Sequence, residues 1–192
     1  MKAVVVSRAG GPEVLEVLER ELPSIKPGWS LVKVMGFGIN HSEIFTRQGL
    51  SPSVTFPRVL GIEMVGLIEE TSDPSRLPVG QKVVSIMGEM GRAYDGGYAE
   101  YALLPNDNLY TITSDLNWRD LASVPETYYT AYGSMKNLQL EPKDRILVRA
   151  GSSGVGQAFA KLVRARFPEV RLVASVRRLD KEEKILAAGF DQ

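Results

Sequence analysis

A glycine-rich turn between two segments of very different pattern constrains the fold of this chain more than any other feature. Residues 150–156 read AGSSGVG and follow the apolar run DRILVRA. After the turn, apolar residues recur at helical spacing from Val155, at Ala158, Phe159, Leu162 and Val163. This order predicts a strand, a tight turn and an amphipathic helix.

The same turn has the features of a pyrophosphate-binding site. Glycine lets the backbone turn sharply and lets phosphates approach closely, and a helix N-terminus supplies free N–H donors. Because the glycines lie between a predicted strand and a predicted helix, they indicate a dinucleotide site. A purely structural turn is the alternative.

The residues after the second predicted strand, RLVASV, indicate which dinucleotide would bind. Sites for NAD usually place an acidic residue there, whereas the 2′-phosphate of NADP needs cations. Here the strand is followed by Arg177 and Arg178, with Lys181 one helical turn further on. Since an Arg guanidinium can donate two parallel hydrogen bonds to a phosphate, these residues favour NADP(H). Asp180 would offset one of these charges, and a solvated basic turn is the alternative.

Short β-rich runs alternate with glycine and proline up to about Asn108. The runs are KAVVV, PSIKPGW, SLVKVMGFGIN, RVLGIEMVGLIEE, PVGQKVVSIM and GGYAEYALLP. Strands at this spacing predict a small antiparallel barrel. After Asp115 the pattern becomes helical, with Asn117 as an expected helix N-cap. We therefore expect one domain over residues 1–115 and a second over 116–192, the latter ending in a helix around residues 181–188.

The composition excludes several kinds of site and partner. The 192 residues contain no Cys and one His, which excludes disulfides and Cys-ligated zinc and leaves little for a His-based metal site. The 23 Lys+Arg balance the 23 Asp+Glu, so charge gives no reason to expect nucleic acid or anionic lipid as a partner. No run approaches the roughly 18 apolar residues of a membrane span, and the first apolar run is too short for a signal peptide. We expect a cytoplasmic protein that binds a small molecule and no membrane.

The predicted α/β part contains few strands. A doubly wound sheet binds its dinucleotide where the strand order reverses, which requires strands from a second mononucleotide half. Two parallel strands with two helices would leave both sheet edges unpaired. We therefore expect a truncated piece of a longer protein, or a chain that relies on a partner to complete its sheet.

Residues 36–43, GFGINHSE, follow the strand SLVKVM, and here the sequence resembles the medium-chain dehydrogenase/reductase superfamily. The resemblance is to its zinc-free quinone oxidoreductase, or zeta-crystallin-like, branch. It extends over nearly the whole chain through MKAVVV, GGPEVLEV, PGWSLVKVMGFGIN, TRQG, FPRVLGIEMVG, PVGQKVV, GGYAEY, TAY and AGSSGVG. It implies a mixed fold, with an N-terminal GroES-like β-barrel domain followed by the first βαβα part of a Rossmann-type α/β domain, which is incomplete. It also implies a homodimer whose usual interface segment is missing.

The sequence departs from the zinc-binding relatives at two ligand positions. Those relatives have Cys where Asn40 stands and a Gly-His-Glu motif that here reads Gly61-Ile62-Glu63. The metal-free branch typically has Asn at the position of Asn40. The resemblance therefore implies a zinc-independent enzyme without a metal site.

The resemblance also implies individual site residues. Asn40 is expected near the nicotinamide and the substrate, and Phe45 is expected as an aromatic residue of the pocket, so these two are the candidate catalytic residues. The expected cofactor-binding residues are Asn40, Thr130, Gly151, Gly154, Val155, Gly156, Arg177, Arg178 and Lys181. A core aromatic residue and a helix hydroxyl are the alternatives for Phe45 and Thr130.

Three other polar residues, His41, Glu43 and Glu63, have structural interpretations. His41 lies in a polar loop, where we expect it to be solvated or locally hydrogen-bonded rather than to transfer a proton. Glu43 and Glu63 are expected to set the loop by pairing with Arg47 or Arg58.

Together these features imply an NADPH-dependent oxidoreductase that transfers a hydride to a quinone or another conjugated carbonyl. The cofactor supplies the hydride, while the protein orients the reactants and excludes water. Without zinc no strong Lewis acid polarises an alcohol, so activated acceptors are favoured. Two alternatives stay open. One is an enoyl-thioester or 2-alkenal reductase of the same superfamily, and the other is a noncatalytic truncated fragment of such an enzyme.

Overall fold

The computed structural model describes residues 1–192, apart from the side chain of Leu179. The chain forms two compact units, Met1–Glu126 and Thr127–Gln192. The division lies beyond residue 115, where the sequence pattern changes, because the helix that follows Asn117 packs against two strands of the first unit. No described helix is long and apolar enough to cross a membrane.

The first unit is built mainly from strands. They are β1 (Lys2–Val6), β2 (Leu15–Glu19), β3 (Trp29–Gly36), β4 (Arg58–Val59), β5 (Glu63–Thr71), β6 (Lys82–Ile86), β7 (Tyr101–Pro105) and β8 (Tyr110–Thr111). Its two short helices are α1 (Ser42–Arg47) and α2 (Trp118–Ala122), the latter packed against β3 and β5. The predicted cap of α2 is confirmed, since Asn117 accepts a hydrogen bond from Asp120 N at 3.0 Å.

These strands form two antiparallel sheets. The five-stranded sheet has the order β7-β3-β5-β6-β8, and the three-stranded sheet has the order β2-β1-β4. The predicted β-rich, antiparallel character of this half is confirmed. The run PSIKPGW is the exception, because only Trp29 of it lies in a strand. Pro23 and Pro27 explain the difference, since proline has no N–H for a sheet ladder.

Each sheet contributes to its own hydrophobic core. The core of the five-stranded sheet consists of Val32, Met64, Ile68, Leu77, Val83, Met90, Ala102, Leu104 and Leu109. The core of the three-stranded sheet consists of Ala3, Val5, Val6, Val14, Val59, Leu60, Tyr98 and Ala99. Since a fully buried side chain of this kind contributes about 1.5–3 kcal/mol, these cores fix the loops between strands. Tyr98 is the one core residue among them with a hydroxyl group.

The second unit has the predicted βαβα order. Helix α3 (Pro125–Leu138) runs into it from the first unit and is followed by β9 (Arg145–Arg149), α4 (Gly154–Arg166), β10 (Arg171–Ser175) and α5 (Glu182–Ala187). Strands β9 and β10 pair in parallel. The helical period from Val155 is confirmed, because Ala158, Phe159 and Val163 are buried in one core. This core fixes the start of α4 against the glycine turn.

Candidate functional site

The glycine turn joins β9 to α4 and packs too closely for side chains at two positions. A Cβ on Gly156 would lie 2.8 Å from the carbonyl oxygens of both Ala150 and Gly151. A Cβ on Gly151 would lie 2.6 Å from Ala174 Cβ in β10. Ala150 itself has a φ of +58°. A side chain at 151 or 156 would therefore force the turn or its neighbours to shift.

Gly154 differs from these two glycines. A Cβ there would meet only Thr127 Cγ2, at an ordinary 3.7 Å. Ser153 caps α4, because its Oγ accepts a hydrogen bond from Gly156 N at 3.0 Å. Packing within the unit therefore does not require glycine at 154. The space beside this residue lies at the N-terminal end of the 13-residue helix α4, which is the positive end of the helix dipole. These features fit a bound pyrophosphate.

The glycine turn and the residues after β10 line one cavity of about 380 Å³. Its lining residues are Ser152, Arg177, Arg178, Asp180 and Lys181. Arg178 pairs with Asp180 at 3.3 Å, and their side chains are 82% and 51% exposed. Such an exposed ion pair contributes little to the stability of the fold. It does offset the charge of Arg178, which is the effect expected of Asp180. Arg177 and Lys181 form no ion pair within the described part of the chain, so no carboxylate there offsets their charge.

Asn40 lies between β3 and α1 and is held at both its backbone and its side chain. Its backbone N–H donates to Glu43 Oε2 at 2.8 Å, and its Nδ2 donates to Glu63 Oε1 at 2.8 Å. Glu63 Oε2 accepts a further hydrogen bond from Glu126 N at 2.8 Å. Burial raises the pKa of the Glu63 carboxyl, although the donors from Glu126 and Asn40 lower it. The half-buried Asn40 is thus held at two points by buried carboxyl groups.

Glu43 anchors the same loop to the core of the three-stranded sheet. Its Oε1 accepts from Ile62 N at 2.9 Å, and its Oε2 accepts from the Tyr98 hydroxyl. The Phe37 ring lies 4.7 Å from the Tyr98 ring. Burial raises the pKa of Glu43, and burial together with the Glu43 carboxylate raises the pKa of Tyr98. The hydroxyl of Tyr98 therefore stays protonated and donates.

The prediction that Glu43 and Glu63 pair with Arg47 or Arg58 was wrong. Arg58 pairs with Asp95 at 3.0 Å, and Arg47 Nε donates to the carbonyl of Gly10 at 3.1 Å. The carboxyls are satisfied by N–H and O–H donors instead, because they are buried where a guanidinium would be costly to desolvate. The loop-setting role expected of them agrees with this geometry.

Tyr98 and the backbone of Glu126 were not identified from sequence as parts of this network. Tyr98 lies in GGYAEY, which indicated only a turn. Glu63 carried the available signal, because a Glu in the apolar run GIEMVGLI must find a hydrogen-bond partner when buried. The sequence does not say which residue that partner is.

The other predicted residues have diverse environments. Phe45 is 48% exposed on α1, so it is not a core aromatic residue, and its ring contacts His41 at 5.5 Å between centroids. Thr130 is half-buried in α3, and Val155 is 39% exposed in the first turn of α4. Their roles, and those of the other predicted cofactor ligands, stay predictions.

Asn40 also borders a largely apolar cavity of about 330 Å³ in the first unit. Its walls include Phe37, Ile39, Ile44, Leu60 and Tyr98, with Arg47 among the polar lining residues. Among the described residues, no group of three or more His, Cys, Asp or Glu is arranged to hold a metal ion. The polar side chains that line this cavity are those of Asn40, Glu43, Arg47 and Tyr98.

The first half of the chain matches a known domain family, and most of the chain is similar to quinone oxidoreductases. Residues 26–114 match the family model of the alcohol dehydrogenase GroES-like domain. Human quinone oxidoreductase is 32% identical over 169 residues, which cover 86% of this chain and 50% of that protein. The chain spans about half the length of the curated relatives it matches.

Solved structures with the same fold cover the whole chain. One is an NAD-dependent alcohol dehydrogenase, with a TM-score of 0.89 and 29% identity, covering 100% of this chain and 62% of that one. Another is a mycobacterial protein in complex with NADPH, with a TM-score of 0.84 and 28% identity, covering 100% of this chain and 57% of that one. The similar proteins thus include ones described with each nicotinamide cofactor.

Proposed function

Because the chain belongs to the medium-chain dehydrogenase/reductase superfamily, a family of oxidoreductases, we propose that it serves a zinc-independent, NADPH-dependent reduction of a quinone or another conjugated carbonyl. The observation that carries this proposal is the cavity shared by Ser152, Arg177 and Lys181 beside the glycine turn. Since this chain covers about half of its curated relatives, the activity is proposed for the protein that contains it.

The choice of NADPH rests on charge, because the similar proteins include both NAD and NADPH examples. No acidic residue free of a cation follows β10 in the described cavity, since Asp180 is paired with Arg178. Arg177 and Lys181 supply two cations for a 2′-phosphate, and the N-terminus of α4 supplies N–H donors for the pyrophosphate.

Bound NADPH would supply the hydride, and residues of the first unit would act on the acceptor. The apolar walls around Phe37, Ile39 and Ile44 suit a flat, weakly polar acceptor such as a quinone. Asn40 would orient a polar group of a reactant beside these walls. Zinc independence is supported by the composition, with no Cys and one His, and by Asn40 at the position where zinc-binding relatives have Cys.

Calorimetric titration of the 192-residue chain with NADPH and with NADH tests the cofactor assignment. We expect NADPH to bind at least about tenfold tighter, which is about 1.4 kcal/mol. The Arg177→Ala/Lys181→Ala variant should lose this preference without weakening NADH, whereas Lys161→Ala, an exposed cation on α4, should retain it. Equal binding of both cofactors by the wild type would contradict the assignment.

Consumption of NADPH in the presence of a quinone, a 2-alkenal or crotonyl-CoA tests the acceptor. We expect the quinone to give the highest kcat/KM. Reduction of crotonyl-CoA or a 2-alkenal alone would move the protein to the alternative reductase class. Saturable NADPH binding without turnover of any acceptor would indicate a noncatalytic role for this chain.

A further inference from the structure

Two buried carboxyl groups determine which way the Asn40 amide faces. Glu63 is 3% exposed, and each of its carboxyl oxygens accepts a hydrogen bond, one from Asn40 Nδ2 and one from Glu126 N, both at 2.8 Å. Both carboxyl oxygens of Glu63 therefore act as acceptors, and the NH₂ group of Asn40 faces Glu63. The amide oxygen, Oδ1, must then face the opposite way.

The Oδ1 atom has no partner within the part of the chain that the structure describes. It accepts no hydrogen bond there, and it is not sealed from solvent. Asn40 itself borders the apolar cavity. A fixed acceptor beside a cavity can bind a hydroxyl or N–H donor of a ligand.

We propose that Glu63 is a positioning residue that holds the Asn40 amide in one orientation, so that Asn40 offers an acceptor, and not a donor, to the bound reactant. The reactant group would be an O–H or N–H, such as a ribose hydroxyl or a carboxamide. This inference rests on the proposed function, because it takes the reactants to bind beside Asn40.

Gly38 and Glu43 show that the chain is shaped for this contact. A Cβ on Gly38 would overlap Glu63 Oε1, so only glycine lets the carboxyl reach Asn40. Glu43 fixes the backbone of Asn40 through its N–H at 2.8 Å. With the backbone held by Glu43 and the amide held by Glu63, rotation of the side chain is restricted from both ends.

Exchanging the amide and the carboxyl tests the inference. In Glu63→Gln, the single amide oxygen can serve Glu126 N, but its NH₂ then faces Asn40, whose amide must turn and present its own NH₂ to the reactant. In Asn40→Asp, two carboxyls face each other and repel. In the double variant, the NH₂ introduced at position 63 donates to one oxygen of the carboxylate introduced at position 40. The other oxygen of that carboxylate again serves as an acceptor for the reactant.

We expect each single variant to lower kcat/KM for the acceptor by about tenfold to a hundredfold, the effect of leaving a buried donor of the reactant without its hydrogen-bond partner. The double variant should recover to within about tenfold of the wild type. The Kd of NADPH should rise in each single variant and recover in the double variant, because a ribose hydroxyl and a carboxamide both belong to the cofactor. Glu69→Gln, the same substitution at an exposed position of β5, should have no effect. A double variant as impaired as the product of the two single variants would overturn the proposal.

A second measurement decides the amide orientation without any activity. The side-chain NH₂ signal of Asn40 in a ¹H–¹⁵N spectrum is identified by its loss in Asn40→Asp. We expect this signal to shift as Glu63 titrates. Glu43, on the backbone N–H of Asn40, also titrates, so the response to Glu63 is the part that is lost in Glu63→Gln and kept in Glu69→Gln. If the wild type reduces no acceptor and the signal behaves as expected, the proposed function fails while the orientation stands. A signal indifferent to Glu63 would refute the orientation itself.

Discussion

Three glycine-to-alanine variants test which glycines of the second unit are required by packing and which one is expected at a bound pyrophosphate. Gly156 cannot accept a Cβ without moving two backbone oxygens that would lie at 2.8 Å, so the turn must open by several tenths of an ångström. Overpacking of this kind costs about 2 kcal/mol, and the gain from alanine in a helix is about 1 kcal/mol. Gly156→Ala should therefore lower the free energy of unfolding of this unit by about 1 kcal/mol.

Gly154→Ala should give the opposite pattern. Its Cβ would make only an ordinary contact with Thr127, so the free energy of unfolding should change by less than about 0.5 kcal/mol. The same Cβ would occupy the space at the N-terminus of α4 where the pyrophosphate is expected. NADPH affinity should fall at least about tenfold, or about 1.4 kcal/mol.

Gly133→Ala is the matched control for both variants. Gly133 lies within α3, nothing surrounds the position of its Cβ within 4 Å, and alanine there should stabilise the helix by about 0.5–1 kcal/mol. Fluorescence of Trp29 and Trp118 reports only the first unit. Stability of the second unit is therefore measured by hydrogen exchange of the β9 and α4 amides, and affinity is measured by calorimetry.

Two results would refute this reasoning. If Gly154→Ala binds NADPH as tightly as the wild type, the open space beside α4 is not the pyrophosphate site. If Gly156→Ala is as stable as Gly133→Ala, the close backbone contacts of the turn do not constrain it.

Three further predictions concern the first unit. Tyr98→Phe keeps the ring contact with Phe37 but removes the hydrogen-bond donor to Glu43. The free energy of unfolding should fall by about 1.5–3 kcal/mol, as measured by urea unfolding followed by Trp fluorescence. Tyr110→Phe, at an exposed position, should leave it unchanged. Because burial raises the pKa of Glu43 above 4.5, the native state holds its proton more tightly than the unfolded state, and the free energy of unfolding should fall as pH rises from about 4.5 through the raised pKa. Glu43→Gln should flatten that part of the profile in urea titrations at stepped pH. Ile44→Trp should fill the apolar cavity and raise KM for a quinone in steady-state assays, while the Kd of NADPH stays unchanged.

Local sequence signals were sufficient to predict the order of strands and helices in the second unit. The strand, glycine turn and helix around residues 145–166 follow from an apolar run, glycines and a helical period, all of which lie within a few residues of one another. The N-cap at Asn117 follows from the same kind of short-range pattern. In the first unit, the strand predicted for the run PSIKPGW was wrong, because its two prolines have no N–H to donate to a sheet.

The network around Asn40 could not be derived in the same way. Glu43 and Tyr98 are 55 positions apart, and Glu63 and Glu126 are 63 apart, so no local period connects them. From charge alone, Arg47 and Arg58 were the expected partners of Glu43 and Glu63. Burial reversed this preference, because neutral N–H and O–H donors can satisfy a buried carboxyl without bringing a second charge out of water.

Stability alone does not explain the two buried carboxyl groups. Glu43 and Glu63 are 5% and 3% exposed, and apolar residues of similar volume are often as stabilising at such positions, or more so. Both groups converge on Asn40, one on its backbone N–H and the other on its side-chain amide. They therefore favour one conformation of a single half-buried amide while burial of their own charge opposes folding. This convergence on one amide is what the proposed positioning of Asn40 requires, whereas packing alone would be served by apolar side chains.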